Sequence, residues 1–307
     1  MNPQVPLAGR TVLVTGGARR IGAAIVRHLA ALGARMVIHH HESGEQARVL
    51  AGELSGAGMA SGEARTAQAP ARELSGAGAA GGEARTAQMR AGEPSGGGMA
   101  GGETWTAQMP GDHPPAGCLC LGADLARPEA PAELLAAAEA AGAPPDAVVH
   151  AAASFLRRGL AETTAEDWDR VMALNLRSTF LLAQELGRRW SGGGGDLVVI
   201  GDAGGLELWP GYFAHSVAKA ALIPLVKALA KALAPGIRVN GVIPGPVLPP
   251  AGTPEEELAR LRERTLLKRI GDPLHVAQAV AFLLTCDYAT GSWVEVTGGS
   301  QLWRGRP

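Results

Sequence analysis

The sequence predicts an α/β fold: a doubly wound parallel sheet in a single domain, with a low-complexity insertion. Three observations predict it. Strand-like segments alternate with helical ones from residue 11 to residue 299. The strand-like segments are almost continuously apolar, as strands covered on both faces must be. The first of them runs into a glycine turn that opens the first helix.

The elements follow in order. TVLVTGG (11–17) is a strand entering the turn, IGAAIVRHLAALG (21–33) has helical spacing and stops at Gly33, and ARMVIHH (34–40) is a second strand. CLCLGADL (118–125) is the third strand, PAELLAAAEAAG a helix, and DAVVHAAA (146–153) a strand. AEDWDRVMALNLRSTFLLAQELGRRW (165–190) reads as one long helix closed by SGGGG. DLVVIGDAGG, GIRVNGVIPG and WVEVTGG (293–299) are strands; HSVAKAALIPLVKALAKALA and VAQAVAFLLT are helices. In VLPPAGTPEEELARLRERTLLKRIGDP (247–273), prolines lead into a charged helix placed to cover a site.

Residues 51–110 interrupt this pattern. They are three copies of a twenty-residue unit: AGELSGAGMASGEARTAQAP, ARELSGAGAAGGEARTAQMR and AGEPSGGGMAGGETWTAQMP. A stacked solenoid needs apolar stripes to bury, and these units have almost none. The block reads as a disordered insertion between the second and third strands, with a short frayed helix at its start. The rest of residues 1–307 makes one domain of ordinary size.

Composition excludes several classes. The chain has 307 residues, is 46% hydrophobic, and carries 28 basic against 29 acidic residues. That balance gives no reason to expect nucleic acid or an anionic membrane as partner. No apolar run approaches the about 18 residues that span a bilayer. The start, MNPQVPLAGRTVLVTGG, lacks a basic-then-apolar leader pattern. Cys118, Cys120 and Cys286 are an odd set without metal or redox spacing, which reads as reduced thiols in a cytoplasmic protein. No metal site is expected.

The turn Thr15-Gly16-Gly17-Ala18-Arg19-Arg20-Ile21-Gly22 lies between strand and helix. Glycines there let the backbone approach a pyrophosphate, which then sits on the positive helix N-terminus. Later in the chain, GYFAHSVAK (211–219) places His215 one helical turn before Lys219.

Together these segments resemble the short-chain dehydrogenase/reductase family. The resemblance rests on Thr-Gly-x-x-x-x-Ile-Gly, His-Ala-Ala-Ala-Ser at the end of the fourth strand, Asn175 in the next helix, Lys219, and Pro244-Gly245. It covers the whole chain except the repeat. Arg20 stands at the family's middle glycine, and the second strand ends His39-His40-His41-Glu42-Ser43. Both features are similar to the pteridine reductase-like branch.

The resemblance implies a Rossmann-type fold, and NADP(H) as cofactor. Gly16, Arg19, Ile21 and Gly22 would take the pyrophosphate side. His39, with Arg20 nearby, and His41 and Ser43 would take the 2′-phosphate end, where an NAD enzyme keeps a carboxylate. Asp124 and Leu125 would flank the adenine, and Ala151, Ala152 and Ala153 the adenosine ribose. Pro244 and Gly245 would line the nicotinamide, and Lys219 would hold its ribose.

The catalytic set implied is His215, Lys219, Asn175 and Asp202. His215 falls on the family's tyrosine, Asp202 on a position where most members have serine and pteridine reductases have aspartate. Asn175 would support Lys219 through water. Tyr212 and Tyr288 are not cast as proton donors. Lys219 disfavours an imidazolium, whereas a carboxylate within about 4–6 Å favours one. The expected device is therefore an Asp202–His215 pair that keeps a proton available.

The function this implies is NADPH-dependent reduction of a carbonyl or pterin-like C=N group. A 3-oxoacyl or general ketone reductase is the close alternative, and a non-catalytic NADP(H)-binding protein is the alternative of another class. The family implies a homodimer or homotetramer acting on a small molecule. Substrate, reaction direction, oligomer size and the purpose of the repeat are not encoded in any motif.

Overall fold

The computed structural model describes residues 6–57, 65–66 and 118–303. Among these, eight strands form one parallel sheet: β1 (Thr11–Thr15), β2 (Arg35–His40), β3 (Arg65–Thr66), β4 (Leu119–Gly122), β5 (Ala147–His150), β6 (Gly195–Ile200), β7 (Ile237–Pro244) and β8 (Trp293–Val296). Their order is β3-β4-β2-β1-β5-β6-β7-β8. The chain winds outward one way from β1 through β2, then returns to β5 and winds the other way. The crevice at the carboxyl ends of β1 and β5 is where such a sheet binds its ligand.

Alternate side chains of the strands build two cores. Val12, Val14, Met36, Ile38 and Val149 face one layer, made by α1 (Arg20–Ala31), α2 (Gly44–Ala57) and α9 (Pro273–Thr285). Leu13, Val37, Leu121, Val148, Leu197 and Val199 face the other, made by α3 (Ala130–Ala140), α5 (Ser178–Arg189) and α7 (Phe213–Leu233). Each such Val or Leu, buried fully, contributes about 1.5–3 kcal/mol. Both faces being covered is why the strands read as continuous apolar runs. No described helix is long and apolar enough to cross a membrane.

The register decides the site. Thr15 pairs opposite His150, Ile200 opposite Val242, and His40 opposite Gly122. The strand ends, and the residues just past them, therefore converge on one rim.

Two elements differ from the sequence reading. The helix expected over 165–190 is α4 (Ala165–Met172) and α5 joined by a π turn, Ala173–Arg177. One extra residue in a turn leaves the apolar spacing nearly intact, so periodicity does not reveal it. Within the first repeat copy, α2 continues to Ala57, and Arg65–Thr66 pairs parallel with β4, where no strand was expected. The unpaired backbone edge of β4 templates that pairing. The insertion thus begins inside a helix and touches the sheet; the rest of 51–110 lies outside the described residues.

Candidate active site

One cleft of about 660 Å³ runs along the carboxyl ends of the strands. It is lined by every residue assigned above to the cofactor, and by Asp202, His215 and Lys219. Of the expected catalytic set, Asn175 alone is absent from its wall; it stands one hydrogen bond behind it.

The glycine turn is shaped for a close backbone approach. Gly16 has φ +64°, and a Cβ there would lie 3.0 Å from the Ala152 Cα. A Cβ on Gly22 would lie 2.1 Å from the Gly16 carbonyl oxygen. The N-terminus of α1 has no side-chain cap and no acid in its first turn, so its N–H groups are free for an anion. Arg20 adopts φ +52°, the left-handed conformation a glycine would take, and its guanidinium donates to the Leu248 carbonyl at 2.7 Å. That bond links the turn to the segment leading into α8 (Glu255–Glu263). The donor set suits a dinucleotide pyrophosphate.

Two buried histidines hold the turn from beneath. His39 accepts from the Gly16 N–H through Nδ1 at 3.1 Å and donates from Nε2 to the Ala123 carbonyl at 3.1 Å. An obligate donor on one side and an obligate acceptor on the other fix this tautomer. Burial pushes His39 down to about 4, so it is neutral. It was expected at the 2′-phosphate end; the structure makes it a support of the glycine turn, with both nitrogens occupied. His41 and Ser43 line the same cleft, with Glu42 beside them.

His150 sits under the same rim. The Ser178 hydroxyl donates to the Leu174 carbonyl, so it must accept from His150 Nε2 at 2.9 Å. His150 Nδ1 therefore accepts from the Thr15 hydroxyl at 2.8 Å. The Thr15 oxygen in turn accepts from the N–H groups of Ala151 and Ala152, each at 3.1 Å. Burial, reinforced by Lys219, drops His150 to about 3. Thr15 and His150 were read only as parts of motifs and Ser178 only within a helix, and none was given this role; the register that sets Thr15 opposite His150 is visible only in the fold.

The reacting end is built on α7 and the π turn. The Asn175 side-chain oxygen accepts from the Ser154 N–H at 2.8 Å, and its amide donates to the Ser154 carbonyl at 2.9 Å. That orients the carboxamide toward Ser154 instead of toward Lys219. His215 Nδ1 donates to the same Ser154 carbonyl at 3.0 Å. Its contact with the Asn175 amide, at 3.3 Å, joins two donors and is no bond. The proton of a neutral His215 is thereby placed on Nδ1. Nε2 is left facing Asp202 Oδ1 at 3.6 Å, buried and without a hydrogen-bond partner among the described residues.

Lys219 Nζ donates to the Ile200 carbonyl at 2.8 Å. Burial lowers it to about 8, and Asp202 opposes that shift. Asp202 Oδ1 accepts from the Gly204 N–H at 2.7 Å, which anchors the carboxylate at the start of the short helix α6 (Gly204–Glu207).

Aromatic rings and one further carboxylate close this end. Phe155 packs edge-on against His215 at 4.7 Å and lies 4.5 Å from Tyr212. Glu207 accepts from the Trp209 indole at 2.7 Å and the Ser300 hydroxyl at 2.9 Å, and pairs with Arg264 at 3.3 Å. Its partners come from three separate segments, which is why nothing local in the sequence marked it.

Residues 105–301 match the family model described as "Enoyl-(Acyl carrier protein) reductase". The chain is 28% identical, over 97% of its length and 96% of the relative's, to an NADPH-dependent aldehyde reductase-like protein, chloroplastic, of Arabidopsis thaliana. Its structure is similar to a short-chain dehydrogenase/reductase from Serratia marcescens, with TM-score 0.72, 27% identity and coverage of 96% and 99%. It is also similar to the FolM alternative dihydrofolate reductase 1 from Brucella suis in complex with NADP, with TM-score 0.70, 25% identity and coverage of 98% and 99%.

Proposed function

The chain belongs to the short-chain dehydrogenase/reductase family, and from that premise we propose that it binds NADP(H) and reduces a carbonyl or pterin-like C=N group, with His215 as the proton donor. The observation that carries this reading is the Asp202–His215–Lys219 constellation in the same cleft as the glycine turn.

Cofactor binding draws on the α1 N-terminus and Gly16 for the pyrophosphate and on Lys219 for the nicotinamide ribose. Bound NADPH supplies the hydride. The protein supplies the proton: His215, held at Nδ1 by Ser154, passes it from Nε2 to the substrate oxygen or nitrogen, with Asp202 Oδ1 3.6 Å from that nitrogen. Giving up that proton leaves the neutral Nδ1–H tautomer that the Ser154 carbonyl already favours. Phe155 and Trp209 give the substrate a flat apolar wall. The FolM likeness and the aspartate at 202 support a pterin-like substrate; the aldehyde reductase-like relative supports a simpler carbonyl.

The same reading places the protein in a reducing compartment, the cytoplasm, on its three unpaired thiols. It makes it a homodimer or homotetramer packed through α5 and α7; Phe180, an exposed apolar residue on α5, supports that face.

The test is NADPH consumption against dihydropterins, quinones, aldehydes and 3-oxo esters, with wild type and His215→Tyr side by side. Turnover by wild type is expected. Turnover by His215→Tyr alone would mean that the natural chain binds the cofactor without this chemistry.

A further inference from the structure

We infer that Arg264 is the anion anchor of the substrate end of the cleft, so that the substrate is a flat, conjugated carbonyl or C=N compound carrying a carboxylate at the end remote from the group reduced. This rests on the proposed function and deepens it by naming the substrate class.

The wall at that end is continuous. From His215 it runs to Phe155, 4.7 Å away between ring centroids, and on to Trp209 at a further 6.4 Å. The Trp209 indole donates to Glu207 at 2.7 Å, and Arg264 Nη2 donates to the same carboxylate oxygen at 3.3 Å. All five residues line the one cleft. A flat molecule laid along the two rings, with its reducible group at His215, has its other end toward the guanidinium.

Four lysines and arginines line the cleft. Arg19 and Arg20 belong to the glycine turn, and Arg20 is bound to the Leu248 carbonyl. Lys219 is buried against the Ile200 carbonyl. Arg264 is the fourth, and it stands at the residue that closes α8. Its chain neighbours Arg260, Arg262 and Lys268 pair with Glu256, Glu255 and Glu263 and stay out of the lining.

Glu207 fixes where that charge sits. It is 15% exposed and also accepts from the Ser300 hydroxyl at 2.9 Å, so separate segments pin it. Arg264 is 52% exposed and spends one N–H donor on Glu207. No other acceptor among the described residues takes the rest. The remaining donors lie in a planar fork that matches a carboxylate. A phosphate would bring about two negative charges beside Glu207 against a single guanidinium, whereas a carboxylate brings half of that.

The experiment is calorimetric titration of the NADP+-loaded protein with 4-formylbenzoate and the longer 4-formylcinnamate, each beside its neutral amide, in wild type, Arg264→Gln and Arg264→Lys. It reads binding and needs no turnover. In wild type at least one acid is expected to bind about 10–100-fold more tightly than its amide. Arg264→Gln is expected to erase that preference by weakening the acid and not the amide. Arg264→Lys is expected to keep part of it, since an ammonium retains the charge without the fork. Amides that match both acids in wild type, a preference that survives Arg264→Gln, or an equal loss of acid and amide in that variant overturns the inference, as does failure of all four compounds to bind. If NADP+ does not bind, the cofactor reading falls and takes this one with it. Turnover of the aldehydes without an acid preference overturns this inference and leaves the proposed function standing. An acid preference set by Arg264, with no turnover of any substrate, counts against the proposed chemistry alone.

Discussion

Nε2 of His215 lies 3.6 Å from Oδ1 of Asp202, with no hydrogen-bond partner among the described residues. The Ser154 carbonyl holds the opposite nitrogen as a donor. A neutral ring thus turns a lone pair toward a carboxylate, and a protonated ring turns an N–H toward it.

The first prediction follows from that pair. His215→Gln is expected to lower kcat by about 10²–10⁴-fold while leaving NADPH affinity close to wild type. Steady-state kinetics and NADPH titration of the two proteins decide it: an unchanged kcat in His215→Gln would rule out His215 as the donor.

The fold was legible because the strands are apolar on both sides and the helices at one stripe. Val12 and Val14 go to one core and Leu13 to the other, and the sequence shows all three as apolar. The His215–Lys219 spacing was legible for the same local reason. What sequence hides is partnership. His39 and His150 look like polar residues near a ligand, yet each has both nitrogens engaged by the protein. Glu207 draws on Arg264 and Ser300, far along the chain. The π turn that aims Asn175 at Ser154 changes the chain by one residue and the hydrophobic pattern hardly at all.

A second prediction concerns Lys219, which burial lowers from 10.5 to about 8. Between those values the unfolded chain holds a proton that the folded chain has released. Stability therefore rises with pH across that window, and the full burial penalty is present below it. Lys219→Met removes the ionisable group. Denaturant unfolding of the apoprotein at several pH values from about 7.5 to 10 should show a rising contribution in wild type that is missing in the variant. Parallel curves would contradict the buried charge.

Acid stability gives a third. His150 is held neutral at about 3 against an ordinary 6.5. Below 6.5 the unfolded chain takes a proton that the folded chain refuses, so stability falls as pH drops, by about 1.4 kcal/mol per pH unit for one such group. An asparagine can still bond Thr15 at the Nδ1 position but cannot titrate. His150→Asn should therefore lose stability less steeply between about pH 6 and 4. Equal slopes in urea midpoints would show that His150 is protonated in the fold.

The last prediction separates two roles of Arg20. Its φ of +52° costs a non-glycine residue about 1–2 kcal/mol, and its guanidinium bonds Leu248 across the cleft. Arg20→Ala keeps the strained backbone and loses the bond. Arg20→Gly loses the bond as well but relieves the strain, less the larger entropy a glycine has in the unfolded chain. Arg20→Gly should therefore be the more stable of the two variants, by up to about 1 kcal/mol in urea unfolding. Both should release NADPH faster than wild type, because the link between the glycine turn and the segment before α8 is gone from each. Equal stability of the two variants would place the backbone of residue 20 outside the left-handed region. Wild-type release rates would show that the Leu248 bond does not restrain the cofactor.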